Sequence, residues 1–358
     1  MTGMRSAKEP PFSRHTIRVR SRMVQCISVR DGLEMKTPHL KILQLLACAA
    51  FALSMLGVPT IAQQREVGTR IEFDSLARGK KERIWGYLSF PAKPQPKYPL
   101  MLIMHSSGGI HDREWFFART LNDMGVATFV LDSFGPRGLT KVFENKLSFT
   151  SYRQLTDALN ALSILSHDKR IDTSLIGAMG RSMGGETSIY LSLHAPRLRA
   201  QSKAPLLSLA LAIMPGCSSQ ERDRRVTPRT DVHFFLAAKD FSPHEQCIEY
   251  AQKMRLAGGK TSYKVYPDAY HVFDLGQKPV WSAAQEVYAD CRNEFIAPGH
   301  SVRLDTGAAL RTKMDWDELF AGCIKRGAWV GGNPDATLQL DRDWISIVEQ
   351  RLLRKPGN

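Results

Sequence analysis

Short apolar runs alternate with amphipathic segments along most of the chain. Residues 100–104 are apolar at every position, which is typical of a strand buried on both faces of a sheet. Similar strands are predicted at residues 126–131, 175–179, 206–214, 233–238 and 262–266. Helical periodicity predicts helices at residues 112–124, 152–166, 186–193, 243–256 and 339–354. Buried strands that alternate with helices need crossover connections, so the pattern predicts an α/β fold with a mostly parallel sheet and helices on both faces.

The two ends of this pattern differ from its middle. Residues 69–74 and 83–90 are predicted strands joined by a polar turn, and such a short connection favours an antiparallel edge of the sheet. Residues 275–336 show no sustained period and predict an irregular or partly helical insertion before the closing helix. Because the insertion leaves the sheet at the edge where active-site loops lie, it is a candidate cap for the pocket.

The N-terminal region carries an apolar segment with the features of an export signal. Residues 42–62 are almost entirely apolar, follow two lysines, and end in a small-x-small sequence. This arrangement predicts a secretory signal peptide at residues 35–62. Since Met35 is a natural start for that signal, residues 1–34 are interpreted as a non-native extension that arises from start-codon choice.

Two alternatives for this segment remain. It is long enough to span a bilayer as an uncleaved anchor, although Gln44, Ser54 and Pro59 weaken such a helix. It could also contain a lipobox that ends at Cys48, but cleavage there would cut the apolar region in half. A membrane contact is therefore expected only if the segment stays uncleaved.

Composition and charge limit the classes of partner. The chain has 358 residues, 43% of them hydrophobic, and a net charge of +14. Outside the N-terminal region the charge is spread without a basic run longer than residues 222–225. No recognised nucleic-acid module accompanies it, so we predict a solvated basic surface and no nucleic-acid partner.

Cysteine usage agrees with export. Of six cysteines, Cys26 and Cys48 precede the mature chain, and an even number remains. The four that remain are Cys217, Cys247, Cys291 and Cys323. They predict two disulfides in an oxidising compartment, with three connectivities open. No CxxC or HExxH pattern is present, so no metal or cofactor is predicted.

A serine lies in a context that favours catalysis. The sequence Gly-Arg-Ser-Met-Gly at residues 180–184 stands between the predicted strand 175–179 and the predicted helix 186–193. A strand, a sharp turn and a helix lift the serine hydroxyl above the edge of a parallel sheet. Small neighbours allow the strand and the helix to approach closely. Ser182 is therefore the candidate nucleophile.

A serine nucleophile needs a base that is itself oriented by a third group. In this architecture the acid and the histidine follow the serine in the chain, each after a strand. Asp240 follows the strand at 233–238, and His271 follows the strand at 262–266, so we predict a Ser182–His271–Asp240 triad. An alternative for Asp240 is a helix N-terminal carboxylate. The rival acids and bases are Asp268, Asp274, His233 and His244.

Acyl transfer also needs backbone donors for the developing oxyanion. One is expected from Met183, next after the nucleophile. The other is expected from the glycine-rich loop 105–109, at Ser107 or else Ser106. His105 is interpreted as a structural hydrogen-bonding group beneath that loop.

Two arginines lie near the same edge of the predicted sheet. Arg137 follows a strand in a loop, and Arg181 precedes the nucleophile. Either guanidinium could bind a substrate carboxylate through its planar fork. A structural role in bonding loop carbonyls is the alternative.

The segments HSSGG, LDSFGPRG, GRSMGG, AAKDFSPHEQC and YPDAYHVFD occur in this order within residues 105–274. Together they resemble the dienelactone hydrolase family, over about residues 70–275 and the last helix. The resemblance implies an α/β-hydrolase fold, with Ser182 as nucleophile, Asp240 as orienting acid and His271 as base. The prototype enzymes have a cysteine where this chain has Ser182, and a serine suits ordinary carboxylic ester hydrolysis.

One disulfide pairing is preferred. Cys217 follows the strand at 206–214 and Cys247 lies after Asp240, so both are expected at the carboxyl edge of neighbouring strands. A 217–247 bond would brace the loop that positions Asp240, and would leave Cys291 to pair with Cys323. A 217–291 link would contradict this prediction.

We therefore expect residues 63–358 to form one α/β-hydrolase domain of an exported serine hydrolase. Its substrate is predicted to be a small-molecule carboxylic ester or lactone, cleaved through an acyl-enzyme. The alternatives are a serine peptidase or an acyltransferase on the same fold, or a non-catalytic binding protein. The acyl size and the oligomeric state stay open.

Overall fold

The computed structural model describes residues 68–77, 80–193, 203–297 and 300–353. The predicted extension at 1–34 and the predicted signal peptide at 35–62 lie outside the described residues. All described residues belong to one compact unit, Ile61–Asn358. Within the described ranges, no helix combines the length and the apolar character that crossing a membrane would need.

An eight-stranded sheet forms the centre of this unit, in the order β1-β2-β4-β3-β5-β6-β8-β9. The first two strands pair antiparallel, β2 also pairs antiparallel with β4, and every later neighbour is parallel. The first nine strands are β1 (Thr69–Ala77), β2 (Lys80–Ser89), β3 (Tyr98–Met104), β4 (Ala127–Asp132), β5 (Ile171–Arg181), β6 (Leu209–Ile213), β7 (Ser219–Glu221), β8 (Asp231–Ala237) and β9 (Lys260–Tyr266). The predicted α/β architecture with an antiparallel edge is confirmed.

Helices cover both faces of the sheet. They are α1 (Asp112–Met124), α2 (Ser151–Leu165), α3 (Met183–Ser192), α4 (His244–Leu256), α5 (Lys313–Cys323) and α6 (Pro334–Val348). Leu100, Leu102 and Met104 of β3 belong to one core, which also contains buried residues of α2, α3 and α4. Met101 and Ile103 belong to a second core with residues of α1 and α6. Alternate residues of one strand therefore serve two opposite helical layers, which explains why the strand is apolar throughout.

The closing helix begins earlier than the apolar period indicates. Asn333 caps it by accepting a hydrogen bond from the Ala336 amide at 3.1 Å, and Pro334 occupies the first turn. A short turn of π-helix at Glu349–Leu353 follows. The predicted start at residue 339 was wrong because the first turn is fixed by capping and contributes little apolar surface.

The described part of the insertion contains strands as well as a helix, so its prediction as irregular or partly helical was wrong where the strands lie. It contains β10 (Val280–Val287), β11 (Asn293–Ala297), β12 (His300–Arg303), β13 (Ala309–Leu310), β14 (Lys325–Val330) and helix α5. The strands are short, and register shifts interrupt the pairing of β10 with β14 and of β11 with β12. Such irregularities break the alternation from which a strand is recognised. Strand β11 of the insertion pairs in parallel with β7. This pairing joins the insertion to the rest of the described chain, which we call the main unit.

The described chain contains two disulfides, and their pairing is the predicted one. Cys217 bonds to Cys247, linking the segment after β6 to α4. Cys291 bonds to Cys323, linking the segment before β11 to the end of α5. Disulfides of this kind indicate an oxidising environment.

Candidate active site

Ser182 occupies a strained turn between β5 and α3. Its backbone has φ 52° and ψ −115°, a conformation that is unfavourable for a residue with a side chain. The Ser182 amide donates to the Ile213 carbonyl at 2.8 Å, which ties the turn to the end of β6. At Gly184, an added Cβ would lie 2.8 Å from the carbonyl carbon of Met104 and closer still to its oxygen. The turn therefore keeps its shape only with a very small residue at position 184.

The three predicted catalytic side chains form one hydrogen-bonded line. Ser182 Oγ lies 3.0 Å from His271 Nε2. His271 Nδ1 lies 2.8 and 2.9 Å from the two carboxylate oxygens of Asp240. With the carboxylate accepting from Nδ1–H, Nε2 can accept the serine proton. Asp240 also accepts from the Ser242 amide at 2.8 Å, so its carboxylate orients both the imidazole and its own loop.

Backbone strain is concentrated around this line. Among the described non-glycine residues, positive φ angles occur at Ser182, Met214 and Val272. Met214 follows β6 and Val272 follows His271, and the Val272 amide lies 3.2 Å from Met214 Sδ. Strained conformations persist where the surroundings over-determine them and are frequent at active sites. The three strained residues therefore cluster at the turn of Ser182 and beside His271.

The candidate oxyanion donors lie beside the nucleophile. Ser107 and Met183 line the same cavity as Ser182. Met183 is the first residue of α3, where backbone N–H groups have no acceptor within the helix. The arrangement brings the two predicted donor residues and the candidate nucleophile Ser182 to one cavity.

His105 lies beneath the Ser107 loop, as its structural interpretation requires. Its Nε2 accepts from the Ser133 amide at 3.2 Å, so Nδ1 carries the hydrogen and donates to the Ser106 carbonyl at 2.8 Å. Complete burial lowers the pKa of His105 below its ordinary value of 6.5. The neutral ring therefore fastens the loop to the end of β4.

A cavity of about 770 Å³ opens beside Ser182. Residues of the main unit line one part of it, and the insertion supplies much of the rest. The insertion residues are Tyr288, Cys291, Phe295, Lys313, Trp316, Asp317 and Phe320. The insertion thus occupies the position of the candidate cap.

Sequence reasoning missed four charged residues that line the cavity, namely Lys146, Glu186, Lys313 and Asp317. Glu186 stands one helical turn beyond Ser182 and accepts from Ser151 Oγ at 2.6 Å and from the Gly216 amide at 3.1 Å. Burial raises the pKa of Glu186. Lys146 Nζ lies 5.1 Å from the ring centre of Phe241, and burial lowers the pKa of this lysine. The four-residue spacing on α3 was a usable signal for Glu186, whereas Lys146 begins a three-residue 3-10 helix that carries no such signal.

The prediction that Arg137 or Arg181 binds substrate was wrong. Arg181 is fully buried, and its guanidinium lies 2.9 Å from Glu114 and 3.2 Å from Asp274. Arg137 contacts Glu82 and Asp157 and donates to the Ser133 carbonyl at 2.7 Å. Neither arginine lines the cavity. Both are structural because acidic side chains of neighbouring elements hold their guanidinium groups.

The rival acids and bases bond elsewhere. Asp268 pairs with Lys239, and Asp274 pairs with Arg113 and Arg181. His233 bonds to Ser262, and His244 lies beside Glu245. Within the described part of the chain, no group of three or more His, Cys, Asp or Glu side chains is placed to hold a metal ion.

Comparison with known proteins gives a family match. The model of the dienelactone hydrolase family matches residues 84–296. No curated protein is similar enough in sequence to match the chain.

Several solved structures are similar. A putative dienelactone hydrolase from Klebsiella pneumoniae is 18% identical with a TM-score of 0.46, over 57% of this chain and 88% of its own. A thermophilic esterase from Thermogutta terrifontis, with propionate bound, is 14% identical with a TM-score of 0.45, over 57% and 86%. A protein designated m3DLH is 14% identical with a TM-score of 0.49, over 79% and 98%.

Proposed function

Since this chain belongs to the dienelactone hydrolase family and is a carboxylic ester hydrolase with an α/β-hydrolase fold, we propose that it is an exported serine hydrolase. It cleaves an ester or lactone through an acyl-enzyme on Ser182. The observation that carries the proposal is the hydrogen-bonded line from Ser182 Oγ through His271 to Asp240. Its distances are those that a nucleophile, a general base and an orienting acid require.

In the proposed acylation step, Ser182 Oγ attacks the carbonyl carbon of the substrate while its proton passes to His271 Nε2. Asp240 stabilises the imidazolium that forms. The amides of Met183 and Ser107 are assigned to the oxyanion. When the carbon–oxygen bond breaks, His271 returns the proton to the departing alcohol, which stays attached to the acyl group if the substrate is a lactone. Water then attacks the acyl-enzyme with His271 as base.

Export is part of the proposal. The two disulfides, Cys217–Cys247 and Cys291–Cys323, suit an oxidising compartment. The segment at 35–62 is the proposed signal peptide. The proposed partner is a small-molecule ester or lactone, and the cavity beside Ser182 is large enough for one.

A fluorophosphonate probe tests the catalytic role of Ser182. We expect the wild-type protein to be labelled and Ser182→Ala not to be, because the probe bonds only to an activated serine. Hydrolysis of p-nitrophenyl acetate should fall by roughly 10³-fold or more in Ser182→Ala. Ser192→Ala is the matched control, since Ser192 lies on the same helix and its hydroxyl donates to the Ile189 carbonyl at 2.6 Å.

The outcomes separate the competing functions. Labelling of Ser182→Ala would place the nucleophile elsewhere, and a folded wild type without labelling or hydrolysis would indicate a binding protein. Faster cleavage of an anilide than of the matching ester would indicate a peptidase. Transfer of the acyl group to an added alcohol in preference to water would indicate an acyltransferase.

A further inference from the structure

The cavity beside Ser182 is rich in aromatic side chains. They are Phe149, Tyr152, Tyr190, Tyr288, Phe295, Trp316 and Phe320. The last four belong to the insertion, and the first three belong to the main unit. Both parts of the molecule thus contribute rings to one cavity.

Six of these rings form a continuous row, which we call the aromatic row. Tyr190 stacks on Tyr152 at 4.7 Å, and Tyr152 meets the edge of Phe295 at 4.5 Å. Phe295 stacks with Trp316 at 6.0 Å, and Trp316 stacks with Phe320 at 5.5 Å. Tyr288 completes the row at 5.9 Å from Phe320. The row runs from α3 to the insertion without a break.

The row lies within reach of the nucleophile. Ser182, Glu186 and Tyr190 follow one another at one-turn spacing along α3 and all line the cavity. At 1.5 Å per residue, Tyr190 stands about 12 Å from Ser182 along the helix axis. A short chain between an ester carbonyl and a terminal ring fits between the nucleophile and the row.

The insertion turns ring surface toward the cavity. Trp316 and Phe320 are four residues apart on α5 and therefore share a face, which packs against the insertion's own core around Leu319 and also lines the cavity. The Phe295, Trp316 and Phe320 rings are half-buried, so part of each ring stays open to the cavity. Open ring surface in a concave site binds apolar groups, and it favours aromatic ones that can stack or meet edge to face.

We propose that the insertion supplies an aryl-binding subsite, and that the preferred substrates are esters in which a short chain joins the carbonyl group to an aromatic ring. The ring contacts Trp316, Phe295 and the Tyr152–Tyr190 pair. The proposal rests on the proposed ester hydrolase function and names its substrate class.

Substrate pairs of matched size test the subsite. Methyl dihydrocinnamate and methyl cyclohexylpropanoate share one carbon skeleton and differ in whether the six-membered ring is aromatic or saturated. We expect wild-type kcat/KM to be about 2- to 10-fold higher for the aromatic ester. Phenylpropyl acetate and cyclohexylpropyl acetate form a second pair, which asks whether the ring sits in the alcohol part instead. A preference for the aromatic member in either pair supports the proposal, and its absence in both overturns it.

Variants of the insertion locate the subsite. In Trp316→Ala, the ratio of kcat/KM for the preferred aryl ester to that for methyl acetate should fall by about tenfold or more, mainly through KM. Trp316→Phe should retain most of that ratio. Trp281→Ala is the control, because Trp281 also belongs to the insertion but is 56% exposed and lies outside the cavity. An unchanged ratio in Trp316→Ala would overturn the proposal.

The two proposals fail in different ways. If Ser182 is labelled and methyl acetate is hydrolysed without any aryl preference, the subsite proposal falls and the serine hydrolase proposal stands. Calorimetric titration of methyl dihydrocinnamate into Ser182→Ala provides a readout that needs no catalysis. Binding that Trp316→Ala abolishes in this background supports the subsite, and no binding overturns it.

Discussion

His105 is a buried histidine that must stay neutral to hold the loop carrying Ser107. A second ring proton would turn Nε2 into a donor facing the Ser133 amide, which is itself a donor. The pKa of His105 in the folded protein is lowered from its ordinary value of 6.5 by burial. As the pH falls below that value, the unfolded chain binds the proton first, so stability is present above pH 6.5 and is lost toward acid.

We therefore predict that His105→Gln reduces the loss of unfolding free energy between pH 7 and pH 5. The variant should be less stable than wild type at pH 7, because the glutamine replaces a fitted ring. The contribution of one histidine is at most about 1.4 kcal/mol per pH unit. Urea unfolding at several pH values measures it, with His167→Gln as control, since His167 is exposed. Equal pH slopes for wild type and His105→Gln would contradict the prediction.

At the residue scale, sequence reasoning found what is encoded locally. Ser182 has a motif around it, and Asp240 and His271 follow strands in a fixed order, so their places could be predicted. Arg181 could not be assigned, because its partners Glu114 and Asp274 come from distant segments that meet only in the fold. The role of any basic side chain is equally unpredictable from sequence when it depends on an acidic partner from a distant segment.

At the scale of the element, the turn between β5 and α3 determines the position of Ser182. Helix α3 starts against the end of β3, and Gly184 is the point of closest approach. An added methyl group there meets the backbone of Met104, which has no side-chain freedom to give way. The helix would have to move, and Ser182 and Met183 would move with it.

We predict that Gly184→Ala lowers kcat/KM by about 100-fold or more, since a displacement of about 1 Å has that effect on a reacting group. Strain should also cost about 1–3 kcal/mol of unfolding free energy. Gly322→Ala is the matched control, because Gly322 lies in α5 with nothing within 4 Å of its added Cβ. That control should be neutral or slightly stabilising. Wild-type kinetics in Gly184→Ala would show that the approach of α3 to β3 is not limiting.

The C-terminal end of α1 carries a local signal and could be predicted, whereas the short strands of the insertion could not. Helix α1 ends where Gly125 adopts φ 100°, and its prediction at 112–124 matches the structure. Strands β10 and β11 carry register shifts, and β13 has only two residues, so no alternation marks them. Pairing with distant partners, such as β11 with β7, forms them instead.

At the scale of the whole molecule, the catalytic line comes from the main unit, whereas the aromatic row combines Tyr152 and Tyr190 of the main unit with four rings of the insertion. Ser182, Asp240 and His271 follow three strands of the central sheet. Phe295 and Trp316 belong to the insertion, which meets the main unit through β7 and β11. The insertion also reaches the catalytic line, because the Gly331 amide donates to the His271 carbonyl at 2.9 Å. Side-chain changes in the insertion that leave this bond intact are therefore expected to alter substrate selection more than catalysis, and each part has its own disulfide.

The two disulfides test this division. Cys217–Cys247 and Cys291–Cys323 close segments of similar length, with sequence separations of 30 and 32 residues. In the chain-entropy account, each then contributes about 3–4 kcal/mol to the unfolding free energy.

We predict similar losses of stability for the two double Cys→Ser variants but different kinetics. The 217/247 variant should lower kcat, because α4 follows the loop of Asp240, whereas the 291/323 variant should mainly raise KM for an aryl ester, because Cys291 and α5 shape the cavity. Steady-state kinetics and urea unfolding of both variants decide it, and identical kinetic defects would show that the insertion and the catalytic loops act as one unit.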